Sequence, residues 1–154
     1  MNGRQRIACT LRGEWPDARP VMLHNFMHAA AEAGMRMAEY RRSAAAVARA
    51  HIRAAEAYDL DGVLIDIDTC TLAGALGAAV DFPEDAPARA RAPALASLEE
   101  VRDLGPPEIA RDGRVQLWLE ACRDVKAHFG AEKFVRGNCD QAPFSLASML
   151  RGLA

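Results

Sequence analysis

The chain predicts an α/β fold with parallel strands and helical crossovers, and two observations carry that prediction. Short apolar, β-branched runs alternate with longer stretches of helical spacing. Each of three such runs ends in polar residues: 20–23 delivers His24 and Asn25, 63–67 carries Asp66 and leads into Asp68, and 134–137 runs into Asn138, Cys139, Asp140 and Gln141. Strands joined by helices run parallel and bring their carboxyl ends to one rim, which is where α/β proteins hold ligands.

Taken in order, residues 2–11 place Ile7, Ala8 and Leu11 on one helical face, and Gly13 with Trp15-Pro16-Asp17 ends that helix. Residues 20–23 form a brief strand, followed by a helix over 26–32 that Gly34 stops. From 35 to 58 the chain is helical with a break near Arg42-Ser43, and Val47, His51, Ala54 and Tyr58 line one face. Asp61-Gly62 then opens the central strand, along which Leu64, Asp66 and Asp68 point one way and Val63, Ile65 and Ile67 the other. Ionised carboxylates on an apolar strand are costly to bury, so they belong at its open end, near water, a ligand or a cation.

A short helix over 70–76 closes at Gly77, and 79–83 is a second extended piece. The Pro, Ala and Arg-rich stretch 84–96 has no firm period and predicts a long loop, a lid or an interface arm, with Arg89 and Arg91 solvated. Ser97-Leu98-Glu99-Glu100 is a capping box for a short helix that Gly105-Pro106-Pro107 ends. Val115, Trp118, Leu119, Cys122, Val125 and Phe129 recur at helical intervals up to Gly130, and Pro143 suits the first turn of a final helix.

Composition narrows the function classes. At 154 residues, 51% hydrophobic and 26% charged, the chain is sized for one folded domain over 1–154. A net charge of -2 argues against a nucleic-acid or membrane-surface partner. Neither a bilayer-length apolar run nor a signal-peptide core is present, which predicts a cytoplasmic protein. The four cysteines show no CxxC spacing and are expected as thiols. Thiolate, imidazole and carboxylate all suit zinc, yet Cys70, Cys139, Asp68, Asp140 and His24 share no ligand spacing, so no metal is predicted within this chain.

Pro20-Val21, the run Ile65-Asp66-Ile67-Asp68 leading to Ala75-Leu76-Gly77, the piece Val80-Asp81-Phe82-Pro83, and residues 137–147 with Ala142-Pro143-Phe144 together resemble the uroporphyrinogen decarboxylase family. That family includes the decarboxylase of haem synthesis and the corrinoid-dependent methyltransferases. The resemblance implies the N-terminal part of a TIM (β/α)8 barrel, because eight βα units need roughly 250 residues. Counting back from Ala75-Leu76-Gly77, the family's active-site aspartate falls on Asp68, whose carboxylate would stabilise a developing cation in a cleft of low dielectric. Its alternative is a structural cap on the helix that follows.

His24, Asn25 and Asp66, at strand ends, read as substrate contacts, and the resemblance implies the same of Asn138, Asp140 and Gln141, against the plainer reading of loop hydrogen bonds and turn chemistry. His51, on an apolar face, reads as a core histidine, and Trp118 and Cys122 as core. The family's decarboxylases clamp substrate carboxylates with arginines where this chain has His24 and Asn25, and their tyrosine after the Ala-Pro motif falls on Met149. Methyl transfer on a corrinoid-linked group is therefore expected ahead of uroporphyrinogen III decarboxylation. A non-catalytic half-barrel module is the third expectation. No cofactor is expected within this chain; corrinoid and zinc would belong to a full-length methyltransferase. Expected partners are a tetrapyrrole or corrinoid substrate and either a second copy or a missing C-terminal half, without which this half is expected to be inactive.

Overall fold

The computed structural model describes residues 1–66, 68–104, 108–138 and 142–153. Two compact units divide them, the first drawn from 1–66 and 117–138 and the second from 68–116 and 142–153.

In the first unit, helix α1 (Gly3–Leu11) starts at Asn2, which forms a capping box with Gln5. Its buried residues are Ile7 and Cys9, while Leu11 is exposed. Leu11 was expected inside; the helix ends there, and Arg12 and Gly13 turn the chain away. Strand β1 (Met22–Leu23) leads into α2 (Phe26–Glu32), then α3 (Met37–Tyr40) and α4 (Ala44–Ala57). Ser43 produces the expected break, its side chain accepting from the Ala46 amide at 3.2 Å. Strand β2 (Gly62–Ile65) is central, parallel both to β1 and to β5 (Phe134–Gly137). Met22 lies opposite Gly62 and Gly62 opposite Phe134.

Gly62 has a steric reason. A Cβ there would lie 2.7 Å from Ile7 Cδ1 and 3.0 Å from the Phe134 carbonyl. Arg6 fastens α1 nearby, donating to Asp17 at 2.8 Å and to Asp61 at 3.0 Å, and these bonds raise its pKa further. Val63 and Ile65 enter a core with Ala50, Ala54 and Ala55 of α4, together with Trp118, Val125 and Phe129. Alanines on α4 permit close packing there, although Tyr58, expected on that face, is exposed. The last three belong to α6 (Gly113–Phe129), which ends at Gly130 with φ +55°.

The second unit holds α5 (Thr71–Ala75), β3 (Ala79–Asp81), β4 (Arg89–Ala92), two short 3₁₀ turns, the start of α6, and α7 (Pro143–Arg151). Ala73, Ala78, Leu95 and Leu150 form its core. The stretch 84–96, expected as a loop, instead contains β4, which pairs antiparallel with β3 through Arg89, Ala90 and Ala92, and Arg89 meets Asp81 at 2.9 Å. The expected capping box does not form: a 3₁₀ turn spans Glu99–Asp103 from Leu98 without a side-chain cap, and Glu100 instead accepts from the Ala96 amide at 2.8 Å. Residues 105–107, expected to end that element, lie outside the described residues. No helix among the described residues is long and apolar enough to cross a membrane.

Candidate functional site

Three parallel strand ends in the first unit bring His24, Asp66 and Asn138 together. His24 follows β1, Asp66 follows β2 and Asn138 follows β5. The ladder extends one bond past the strands, the Asn138 amide donating to the Ile65 carbonyl at 3.0 Å. The indole Nε1–H of Trp118 donates to the same carbonyl, also at 3.0 Å. The next backbone carbonyl, that of Asp66, accepts from the Tyr40 hydroxyl. Tyr40 is held in turn by His51 Nε2 at 2.9 Å. Because the hydroxyl gives its one proton to the carbonyl, His51 donates to it as a neutral Nε2–H imidazole. Burial at 1% exposure favours that neutral form and pushes the His51 pKa down to about 4.

On this base the Asp66 carboxylate is fully buried. Its Oδ2 lies 2.5 Å from His24 Nε2 and accepts from Asn138 Nδ2 at 3.1 Å. Its Oδ1 is buried and has no hydrogen-bond partner among the described residues. His24 is half-exposed, with 50% of its side chain accessible. Asn25 begins α2 without capping it, and its Nδ2 is buried and unpartnered. Asp140 and Gln141 lie outside the described residues, as do Cys139 and Ile67.

Asp68 belongs to the second unit and is also fully buried. One oxygen accepts from the Cys70 amide at 2.8 Å and from the Thr71 hydroxyl at 3.0 Å, an Asx-type turn ahead of α5 rather than the helix cap, since Cys70 occupies the N-cap position and that position has no side-chain cap bond. The other meets Arg114 Nη2 at 2.6 Å. Arg114 also lies over the Phe82 ring, 4.3 Å from its centroid, beside a cavity of about 250 Å³ lined by Cys70, Thr71, Gly74, Phe82 and Asp112. Arg114 and the Tyr40–His51 pair were not expected in these roles. Arg114 lies 46 residues from Asp68, and a pairing over that separation leaves no local pattern. Among the described residues no group of three His, Cys, Asp or Glu side chains converges as a metal site would.

The family model described as Uroporphyrinogen decarboxylase (URO-D) matches residues 2–153. Among solved structures, the chain is similar to a methyltransferase from Methanosarcina mazei, with a TM-score of 0.86 and 18% sequence identity over 99% of this chain and 46% of that one. The chain thus spans about half the length of that protein, and at this identity the likeness concerns the fold. No curated protein matches the sequence.

Proposed function

The chain belongs to the uroporphyrinogen decarboxylase family, and from that premise we propose that it is part of a (β/α)8 barrel enzyme acting on a corrinoid-linked methyl group. The observation that carries this reading is the charge at the strand rim. A porphyrinogen bearing many carboxylates needs cations to hold it. At the end of β1, where a clamp of arginines would be needed, this chain has His24 and Asn25, and His24 is bonded to the buried carboxylate of Asp66, which also accepts from the neutral amide of Asn138. An anionic centre of this kind repels a polyanion and suits a substrate that arrives neutral or cationic at the reacting atom. The methyltransferase similar in fold is compatible with the same reading.

In this proposal the methyl group arrives on a corrinoid, which is substrate. Zinc would be held by residues beyond those described. The chain's own part is to present a fixed polar rim: Asp66, His24 and Asn138 position the reacting partner, and Asp68 with Arg114 orders the start of α5. The experiment compares the full-length protein on uroporphyrinogen and on methylcobamide with a thiol acceptor. Methyl transfer without decarboxylation is the expected result. Efficient formation of coproporphyrinogen would overturn it in favour of decarboxylation.

A further inference from the structure

We propose that His24 is the proton-transfer residue of this site and that Asp66 is the residue that positions it. The inference rests on the reading of the strand rim as the substrate's location and deepens it, by requiring a reacting partner with a proton on a heteroatom, such as a thiol or a hydroxyl.

Asp66 cannot donate while ionised, so the short contact of 2.5 Å to His24 places the imidazole proton on Nε2. The tautomer is thereby fixed, and Nδ1 is left with its lone pair. Nδ1 has no hydrogen bond among the described residues, and the ring is half-exposed. Asp66 is held at several points: Asn138 shares Oδ2, the Tyr40 hydroxyl holds the backbone carbonyl, and Trp118 and Asn138 hold the carbonyl one residue before. The side chain nonetheless keeps one buried oxygen without a partner. A surface pin between two loops would not call for a wholly buried carboxylate, since exposed ion pairs contribute little and buried unsatisfied oxygens are costly. A carboxylate that orients an imidazole and stabilises it when charged does call for one.

The step balances within these groups. The X–H bond of the reacting partner breaks with its electron pair remaining on X, and the proton passes to Nδ1 of neutral His24. The resulting imidazolium keeps its Nε2–H bond to Asp66, whose negative charge offsets the new positive charge. In the reverse sense, the same imidazolium delivers a proton to a departing heteroatom. Asp68 is unsuited to this task because both of its oxygens are engaged, one with the Cys70 amide and the Thr71 hydroxyl and the other with Arg114.

The test has two arms on the full-length protein. In the first, nitrogen NMR of labelled histidine reads the tautomer with no substrate present: His24 should be protonated at Nε2, and Asp66→Asn should change that signal. A wild-type His24 protonated at Nδ1, or exchanging freely between tautomers, would overturn the proposal whatever the enzyme's reaction. In the second, His24→Gly should lower kcat for methyl transfer by about 100-fold or more, with recovery on adding imidazole, and Asp66→Asn should lower kcat more than it changes KM. A folded His24→Gly retaining nearly full rate, or one reduced in rate yet insensitive to imidazole, would overturn the proposal. His24→Asn, which keeps a polar side chain, separates a loss of chemistry from a loss of fold. Absence of any methyl transfer would count against the proposed function, while the NMR arm still decides whether Asp66 positions His24.

Discussion

His51 is the residue whose cost can be read most directly. Its imidazole is buried and neutral, with its pKa pushed down from 6.5 to about 4, chiefly because burial penalises the charged form. Between those values the unfolded chain binds a proton that the folded chain does not, so stability rises with pH through this window and is lost as pH falls from 6.5 toward 4. Below about 4 both states carry the proton and the slope ends. A gap of this size is worth about 3 kcal/mol. Denaturant unfolding at a series of pH values should show that loss in the wild type, and His51→Gln should flatten it. A wild-type curve with no slope between pH 6.5 and 4 would contradict the buried, neutral imidazole. The same residue illustrates what sequence reveals. An apolar helical face pointed to a core histidine, and it is one, but the face carried no sign that Tyr40 would link it to the Asp66 carbonyl.

At the scale of the element, the strands with strong local signals were legible and the weak one was not. Strand β5 falls on residues 134–137 and α2 on 26–32, where glycine, polar strand ends and helical spacing mark both borders. Strand β4 escaped because alanine and arginine have little preference for extended structure, and its order comes from pairing with β3, a tertiary effect. The position of Asp66 and Asn138 just past strand ends was legible for the opposite reason: the end of a buried apolar run constrains what can follow it. Gly62 gives this scale its prediction. Its missing side chain lets β2 approach Ile7 of α1 and the β5 backbone, where the Phe134 carbonyl cannot yield as a flexible side chain would. Gly62→Ala should cost about 1 to 3 kcal/mol, measured by equilibrium unfolding. Full stability in that variant would show that the contact relaxes freely.

For the whole molecule, the parallel sheet has β1 and β5 as its outer strands, each paired on one side only among the described residues. Unpaired strand edges are templates for association, and buried backbone groups without partners each cost about 1 to 3 kcal/mol. Since an ordinary domain is stable by only about 5 to 15 kcal/mol, the 154 residues expressed alone should self-associate or bind hydrophobic dyes. Sedimentation, dye binding and thermal unfolding on one preparation check this. A compact, dye-negative monomer with a sharp transition would mean that these residues close their own core and that the partial-barrel reading fails.

The indole of Trp118, bonded to the Ile65 carbonyl, also provides a natural optical probe. The chain has two tryptophans, and they stand in opposite surroundings: Trp118 is 6% exposed and Trp15 is 95% exposed. Emission from the first should be blue-shifted and shielded from iodide, and emission from the second red and readily quenched. Replacing Trp15 with Phe would leave a single fluorophore hydrogen-bonded one residue before Asp66. Its colour would then report whether the backbone beneath that carboxylate is in place, without any added label.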